Sequence, residues 1–244
     1  MYKSIKDYQW PSSFLQEKKY IKKKQINNSM KLRIIENFFK KQFFEQNVFL
    51  FPSARSCIGL IIRYLKINRS NEVFVNKWVS HCIFNTVGAY SNITTKYYNP
   101  DLSILVHKWG NIQKVKKSRK KKIIEDSVDS IILNKKSFFI NNGDFEIFSL
   151  PKIIGSVTGG LVVSKDKNFF KFCKDQQKKN KKLGIYQSEE KFKDLSINKK
   201  FSTWLYHESW NTYTDCNSLD NIISCLKNFK KNKEIILKRN QFIS

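Results

Sequence analysis

Four short stretches of this chain hold residue types whose spacing could do chemistry. In "FSLPKIIGSVTGG" (148 to 160), Ser149 precedes Lys152 by three positions, and Gly155, Gly159 and Gly160 follow. A lysine in such a loop can be activated by burial or by neighbouring cations and can form a Schiff base with an aldehyde. The glycines permit close backbone approach or positive φ angles. In "KIIEDSVDS" (122 to 130), two hydrophobic residues feed directly into Glu125 and Asp126. A carboxylate at the tip of a buried strand can hold a proton on a ring nitrogen, because the cation offsets its desolvation; the plainer role for Asp126 is to cap whatever follows. In "FPSARS" (51 to 56), Ser53, Ala54 and Arg55 stand where an apolar run gives way to a helical pattern. Backbone amides at a helix start, helped by a hydroxyl and a guanidinium, make a phosphate seat; otherwise the serine is only an N-cap. In "VNKWVSHCIFN" (75 to 85), Trp78 or His81 could stack on a flat ring, or Trp78 is core and His81 a satisfied buried group.

The elements that must position these residues are short. "VFLF" (48 to 51), "EVFV" (72 to 75), "SILVH" (103 to 107), "KIIED" (122 to 126), "FEIFS" (145 to 149) and "GLVVS" (160 to 164) are near-continuous apolar runs. Such runs suit strands covered on both faces. Between the first two, apolar positions 57, 58, 60, 61, 64 and 65 recur at helical spacing, and "HCIFNTVGAY" repeats the pattern less cleanly. Strand alternating with helix predicts an α/β fold with a mainly parallel sheet, whose ligands sit beyond the carboxyl ends of the strands. In that scheme the four stretches lie at strand ends. Phosphate seat, stacking ring, ring-nitrogen carboxylate and Schiff-base lysine, in that chain order, are the parts a pyridoxal phosphate site requires. Beyond residue 166, "KNFFKFCKDQQKKNKK" reads as a polar-faced helix, 180 to 200 is lysine-rich and weakly patterned, and 219 to 240 reads as one long helix begun at a Ser or Asp cap.

Composition narrows the partners. The chain has 46 Lys and Arg against 20 Asp and Glu, a formal charge of +26. Lysine supplies nearly all of it and is spread along the chain, whereas a dedicated nucleic-acid reader gathers arginine or places basic residues on one face with exposed aromatics. No specific nucleic acid is expected. The run "KVKKSRKKK" (114 to 122) reads as a solvated face. Five cysteines form no CxxC pair and no ligand spacing with histidine, so neither a zinc site nor a disulfide framework is supported, and a reducing compartment is the natural reading. The N-terminus has no apolar signal region, and no stretch reaches the ~18 apolar residues of a membrane span, so a cytoplasmic location is expected.

Several motifs in the right order resemble those of the DegT/DnrJ/EryC1/StrS family of pyridoxal-phosphate-dependent sugar aminotransferases, a branch of fold type I. "FLFPSARSCIGLIIRYL" is similar to that family's "SGT-AL" or "SGR-AL" segment and "ILVHKWG" (104 to 110) to its "VVHLYG" strand. "IIEDSVDS" is similar to its "IEDAAQA" and "FSLPKIIGSVTGGLVVSKD" to its "FSF…K…GEGGAVVT-D". The likeness covers about residues 45 to 168. It implies a fold type I large domain over 46–175, preceded by an N-terminal segment (1–45) and followed by a helical remainder (176–244) in which the family's small C-terminal domain is largely missing. By position it makes Lys152 the cofactor-bound lysine and Asp126 the partner of the pyridinium nitrogen. Ser149 and the turn at Ser53, Ala54 and Arg55 would hold the phosphate. The family's stacking aromatic falls near Ser80, with Trp78 or His81 a small shift away. Ala54 stands where glycine is usual, and Asp129 where a glutamine or histidine lies near the cofactor's phenolic oxygen. The activity so implied is amino transfer from an amino acid, typically glutamate, to a keto group of a nucleotide-linked sugar, by a homodimer. The alternative is a truncated, weakly active or inactive member that serves as a binding or partner subunit.

Overall fold

The structure, a computed structural model, describes residues 27–44, 46–108, 111–115, 121–130, 138–181 and 211–241. The lysine-rich stretch at 182–200, most of the basic run at 116–120 and the N-terminal segment before residue 27 lie outside the described residues.

Seven strands form one sheet in the order β1-β7-β6-β5-β4-β2-β3: β1 (Val48–Phe51), β2 (Glu72–Val75), β3 (Asn92–Thr94), β4 (Leu102–Val106), β5 (Lys122–Asp126), β6 (Phe145–Ser149) and β7 (Gly160–Ser164). The five strands from β3 to β6 pair in parallel, and β7 runs antiparallel between β6 and β1. Every residue of β4, β6 and β7 is buried. That is why their sequences read as near-continuous apolar runs rather than alternating ones.

Helices cover both faces. On one face α2 (Ala54–Tyr64), α3 (His81–Gly88) and α5 (Lys167–Lys179) pack Ile58, Ile61, Ile62, Ile83, Val87 and Phe169 against Val73, Val75, Ile104, Ile124, Phe145 and Ile147. On the other, α1 (Asn28–Gln42), the one-turn α4 (Leu150–Ile154), α6 (Cys216–Cys225) and α7 (Phe229–Gln241) bury Ile35, Phe39, Ile153, Leu219, Ile222 and Phe229 against Leu50, Phe148, Leu161 and Val163. Each such fully buried side chain contributes roughly 1.5–3 kcal/mol of transfer free energy. Burial on both faces leaves the carboxyl ends of the parallel strands as the place where polar loops gather.

The helix starts are set by short polar caps. Ser53 Oγ accepts from Ser56 N–H at the head of α2, Asp166 Oδ1 from Asn168 and Phe169 at α5, and Asp215 Oδ1 from Asn217 and Ser218 at α6. The single long helix expected over 219–240 is instead two helices, α6 and α7, joined by a 3₁₀ turn at Leu226–Asn228. There Asn228 Nδ2 donates to the Ile154 carbonyl, a tertiary contact at the break.

Candidate functional site

The loops after β1, β2, β4, β5 and β6 surround a cleft of about 110 Å³, placed where parallel sheets present ligands. Its wall is built from the ends inward. β1 leads through Pro52 into the Ser53–Ala54–Arg55 turn that opens α2. The first-turn amides of a helix have no intrahelical acceptor, so this turn offers donors beside the Ser53 hydroxyl and the partly buried Arg55 guanidinium. Burial lowers the Arg55 pKa, and the nearby Cys82 thiol partly offsets this.

Two glycines let that turn sit low. A Cβ on Gly160, the first residue of β7, would stand 2.2 Å from the Ser53 carbonyl carbon and 2.4 Å from Ala54 N. Gly159 has φ of 118° and donates its N–H to the Pro52 carbonyl (2.7 Å). Only a residue without a side chain fits either position.

β5 delivers Asp126 to the cleft floor. It is 2 % exposed, and its Oδ1 accepts from Val128 N–H (3.0 Å). Burial pushes its pKa up to about 6, helped by the charge of Asp129; the Val128 N–H, Lys152 and His107 pull the other way. β6 ends at Ser149, a buried serine at the cleft wall whose hydroxyl makes no cap bond to α4. One turn on, Lys152 Nζ donates to Asp129 Oδ1 in an ion pair at the cleft wall. Gly155, at φ 71°, ends α4 and turns the chain back toward Val157 and Thr158. Thr158 lines the cleft with a buried hydroxyl that has no hydrogen-bond partner among the described residues.

Ser53, Ala54, Arg55, Asp126, Asp129, Ser149 and Lys152 are thus brought together, from loops up to about a hundred positions apart in the chain. Trp78 and His81 are not. Trp78 is 78 % exposed in the β2–α3 connection, where its carbonyl accepts from Lys108 Nζ, and His81 is exposed at the start of α3. Because Ile83 and Val87 face the core, the inward side of α3 carries Cys82 and Ile83 to the cleft and turns His81 to solvent. Ser80 lines the cleft, and among its described lining residues none is aromatic. Lys108, Cys82 and Thr158 also line it without having been expected to.

Behind the floor, on the opposite face of the sheet, lies a second polar cluster. His107 Nε2 and Glu125 Oε2 are 3.0 Å apart, each side chain 1 % exposed. Gln113 N–H donates to Nδ1 (3.3 Å), so the ring proton sits on Nε2 and Glu125 accepts it. Glu125 also accepts from Asn141 N–H, Asn141 Nδ2 and Gly143 N–H. Burial alone would raise its pKa, but these bonds hold it below the usual carboxylate value. Its register partner on β6 is Glu146, whose pKa burial pushes up to about 8, with the Glu125 charge adding to the effect. Of two adjacent buried carboxyls, one is therefore held ionised and the other neutral.

With this geometry established, known proteins give it context. A family model described as "Putative PLP-dependent aminotransferase" matches residues 35–244. The chain belongs to this family. Its fold is that of the type I pyridoxal-phosphate-dependent enzymes, in agreement with the α/β reading of the sequence. The serine palmitoyltransferase of Sphingomonas wittichii superposes with a TM-score of 0.54 at 10% identity, over 84% of this chain and 52% of that one. The aminotransferase TlmJ of Streptoalloteichus hindustanus gives 0.53 at 12% identity, over 82% of this chain and 59% of that one. NtdA of Bacillus subtilis, solved with its bound cofactor PMP, gives 0.49 at 18% identity, over 59% of this chain and 39% of that one. This family member therefore spans less than two thirds of the length of each. No curated protein sequence matches the chain. Among the described residues no helix is long and apolar enough to cross a membrane, and no group of His, Cys, Asp and Glu could hold a metal ion.

Proposed function

We propose that the cleft binds pyridoxal phosphate and that the chain is an aminotransferase of the DegT/DnrJ/EryC1/StrS type, its cofactor-binding core spanning 46–175. The substrates in this reading are an amino-acid donor, typically glutamate, and a nucleotide-linked keto sugar for glycan synthesis in the cytoplasm, and the working unit is a homodimer. The observation that supports it is the convergence of Ser53–Arg55, Asp126, Ser149 and Lys152 on one cleft from separate strand ends.

The residues fit the cofactor on three counts. Gly160 lets the Ser53–Ala54 turn sit directly against the start of β7, in space that a Cβ would fill. Asp126 is a buried carboxyl whose raised pKa a neighbouring cation would bring back down. Ser149 and Thr158 bring hydroxyls to the wall, and that of Thr158 has no hydrogen-bond partner among the described residues. The phosphate would rest on the first-turn amides of α2 with Ser53, Arg55 and Ser149; the ring nitrogen would face Asp126; Lys152 would supply the amine that holds the aldehyde carbon. When bound, the cofactor supplies an electron sink for cleavage of a bond next to the substrate nitrogen.

The chain's own residues do the rest. Asp126, ionised beside a cation, keeps a proton on the ring nitrogen. Lys152 Nζ would serve as the general base and acid that takes a proton from one carbon and returns it to another. Ile83, Val106 and Val128 line the cleft with apolar surface beside these groups, which lowers the local polarity around them. The test is to incubate the protein with pyridoxal phosphate, reduce with borohydride and map the pyridoxyl mass on peptides. Label on Lys152 alone is the expected result; label scattered over many lysines, or none, overturns the assignment.

A further inference from the structure

Lys152 is held through its ammonium. Its Nζ donates to Asp129 Oδ1, and the two side chains are about one fifth exposed, 21% and 22%. The other charged or titratable groups lining the cleft are Arg55, Lys108, Asp126 and Cys82. Asp129 sits three residues beyond Asp126, in the loop that leaves β5, so a single short loop supplies both carboxylates. An ammonium in such a pair has its nitrogen lone pair occupied by a proton, and a nitrogen in that state cannot attack a carbonyl carbon.

We infer that Asp129 is a positioning residue that stores the Lys152 amine as an ammonium at the cleft wall, and that breaking this pair limits the rate at which the cofactor-free protein captures an aldehyde. This rests on the reading of Lys152 as the residue that pyridoxal phosphate joins. The step balances without an oxidant or reductant. The ammonium and the aldehyde give a C=N bond, the carbonyl oxygen leaves as one water, and one proton is released. Asp129 thereby loses its cationic partner, so its charge opposes the forward step.

The experiment is a borohydride-quenched time course of pyridoxal phosphate capture at fixed pH, with the label located by peptide mass spectrometry, for wild type, Asp129→Asn and Asp129→Glu. Removing the pair is expected to speed labelling of Lys152 by about fivefold at low salt, the scale of a partly exposed ion pair. Raising the salt should narrow that ratio, because screening weakens the pair only in the protein that has one. Asp129→Glu, which keeps the charge, should restore the slow wild-type rate. A purely structural aspartate would give neither the salt dependence nor the rescue. Label on Lys152 in all three proteins, with Asp129→Asn no faster than wild type, overturns the inference and leaves the site reading intact. Wild-type label off Lys152 overturns both.

Discussion

Gly160 lies beneath the Ser53 carbonyl group, close enough that a Cβ there would be 2.3 Å from the carbonyl oxygen. Both contacting groups are backbone, so neither can swing aside. Gly160→Ala must move the start of β7 or lift the Ser53–Ala54 turn, and overpacking of this kind costs about 1–3 kcal/mol. The turn carries the amides that would meet the phosphate, so affinity for pyridoxal phosphate should fall at least ~10-fold together with the thermal midpoint. Gly88→Ala is the control: its Cβ meets only Ile93 Cδ1 at 3.4 Å, away from the cleft. Fluorescence titration with the cofactor and a melting curve on each variant decide it; unchanged affinity in Gly160→Ala would remove the turn from the site.

Asp126 should set stability and binding against each other. Its pKa in the folded, cofactor-free chain is about 6, above the ordinary carboxyl value of 3.8. The folded state therefore holds the proton more tightly than the unfolded state, and stability declines as pH rises from about 3.8 through about 6, by on the order of 3 kcal/mol. Asp126→Asn keeps an acceptor for Val128 N–H and carries no charge. At pH 8 it should melt higher than wild type without cofactor, with the two converging below about pH 4. Its affinity for pyridoxal phosphate should drop more than ~10-fold, because no carboxylate faces the ring nitrogen. Calorimetry at both pH values tests the first half and absorbance titration the second.

The His107–Glu125 pair should carry stability rather than chemistry, because it faces away from the cleft. Glu125→Ala leaves His107 Nε2, two Asn141 donors and Gly143 N–H without their acceptor. Breaking a buried pair from one side costs about 3–5 kcal/mol. Since its folded pKa lies below the ordinary value, the contribution of Glu125 is present at neutral pH and is lost as pH falls. Gly143→Ala should act through the same group, its Cβ meeting Glu125 Oε1 at 2.6 Å. Urea denaturation at pH 7 and pH 4 should show both variants far below wild type at the higher pH and closer to it at the lower.

The strands were legible because burial on both faces leaves an unmistakable record. β1, β2, β5, β6 and β7 have the bounds their apolar runs predict, and β4 is displaced by a single residue. β3, three residues of half-exposed "NIT" at the sheet edge, has no such record and was missed. The break between α6 and α7 was hidden for a related reason. Leu219, Ile222, Phe229 and Ile236 keep an apolar face across it, and a contact as distant as Asn228 to Ile154 leaves no mark on local periodicity. At the cleft, the apolar spacing of Ile83 and Val87 already turned His81 outward, a signal that outweighed the appeal of an aromatic at that position. Lys108 and Thr158 could be placed only once the loops were folded together.

α6 also bears on the candidate site, through one side chain. Asn221 Oδ1 accepts from Val157 N–H (2.8 Å), in the loop that runs from Lys152 to the glycine pair. Asn221→Ala removes that bond at a net cost of about 1 kcal/mol. Asp215→Ala, which strips the N-cap from the same helix, costs about the same. The two variants should therefore melt alike. They should differ in cofactor capture: the loop between α4 and the glycine pair loses its Asn221 bond only in Asn221→Ala, so its affinity for pyridoxal phosphate should fall several-fold while that of Asp215→Ala stays near wild type. Matched melting curves and cofactor titrations separate a specific brace from general loosening, since equal losses of affinity in both variants would mean that α6 acts on the cleft only through overall stability.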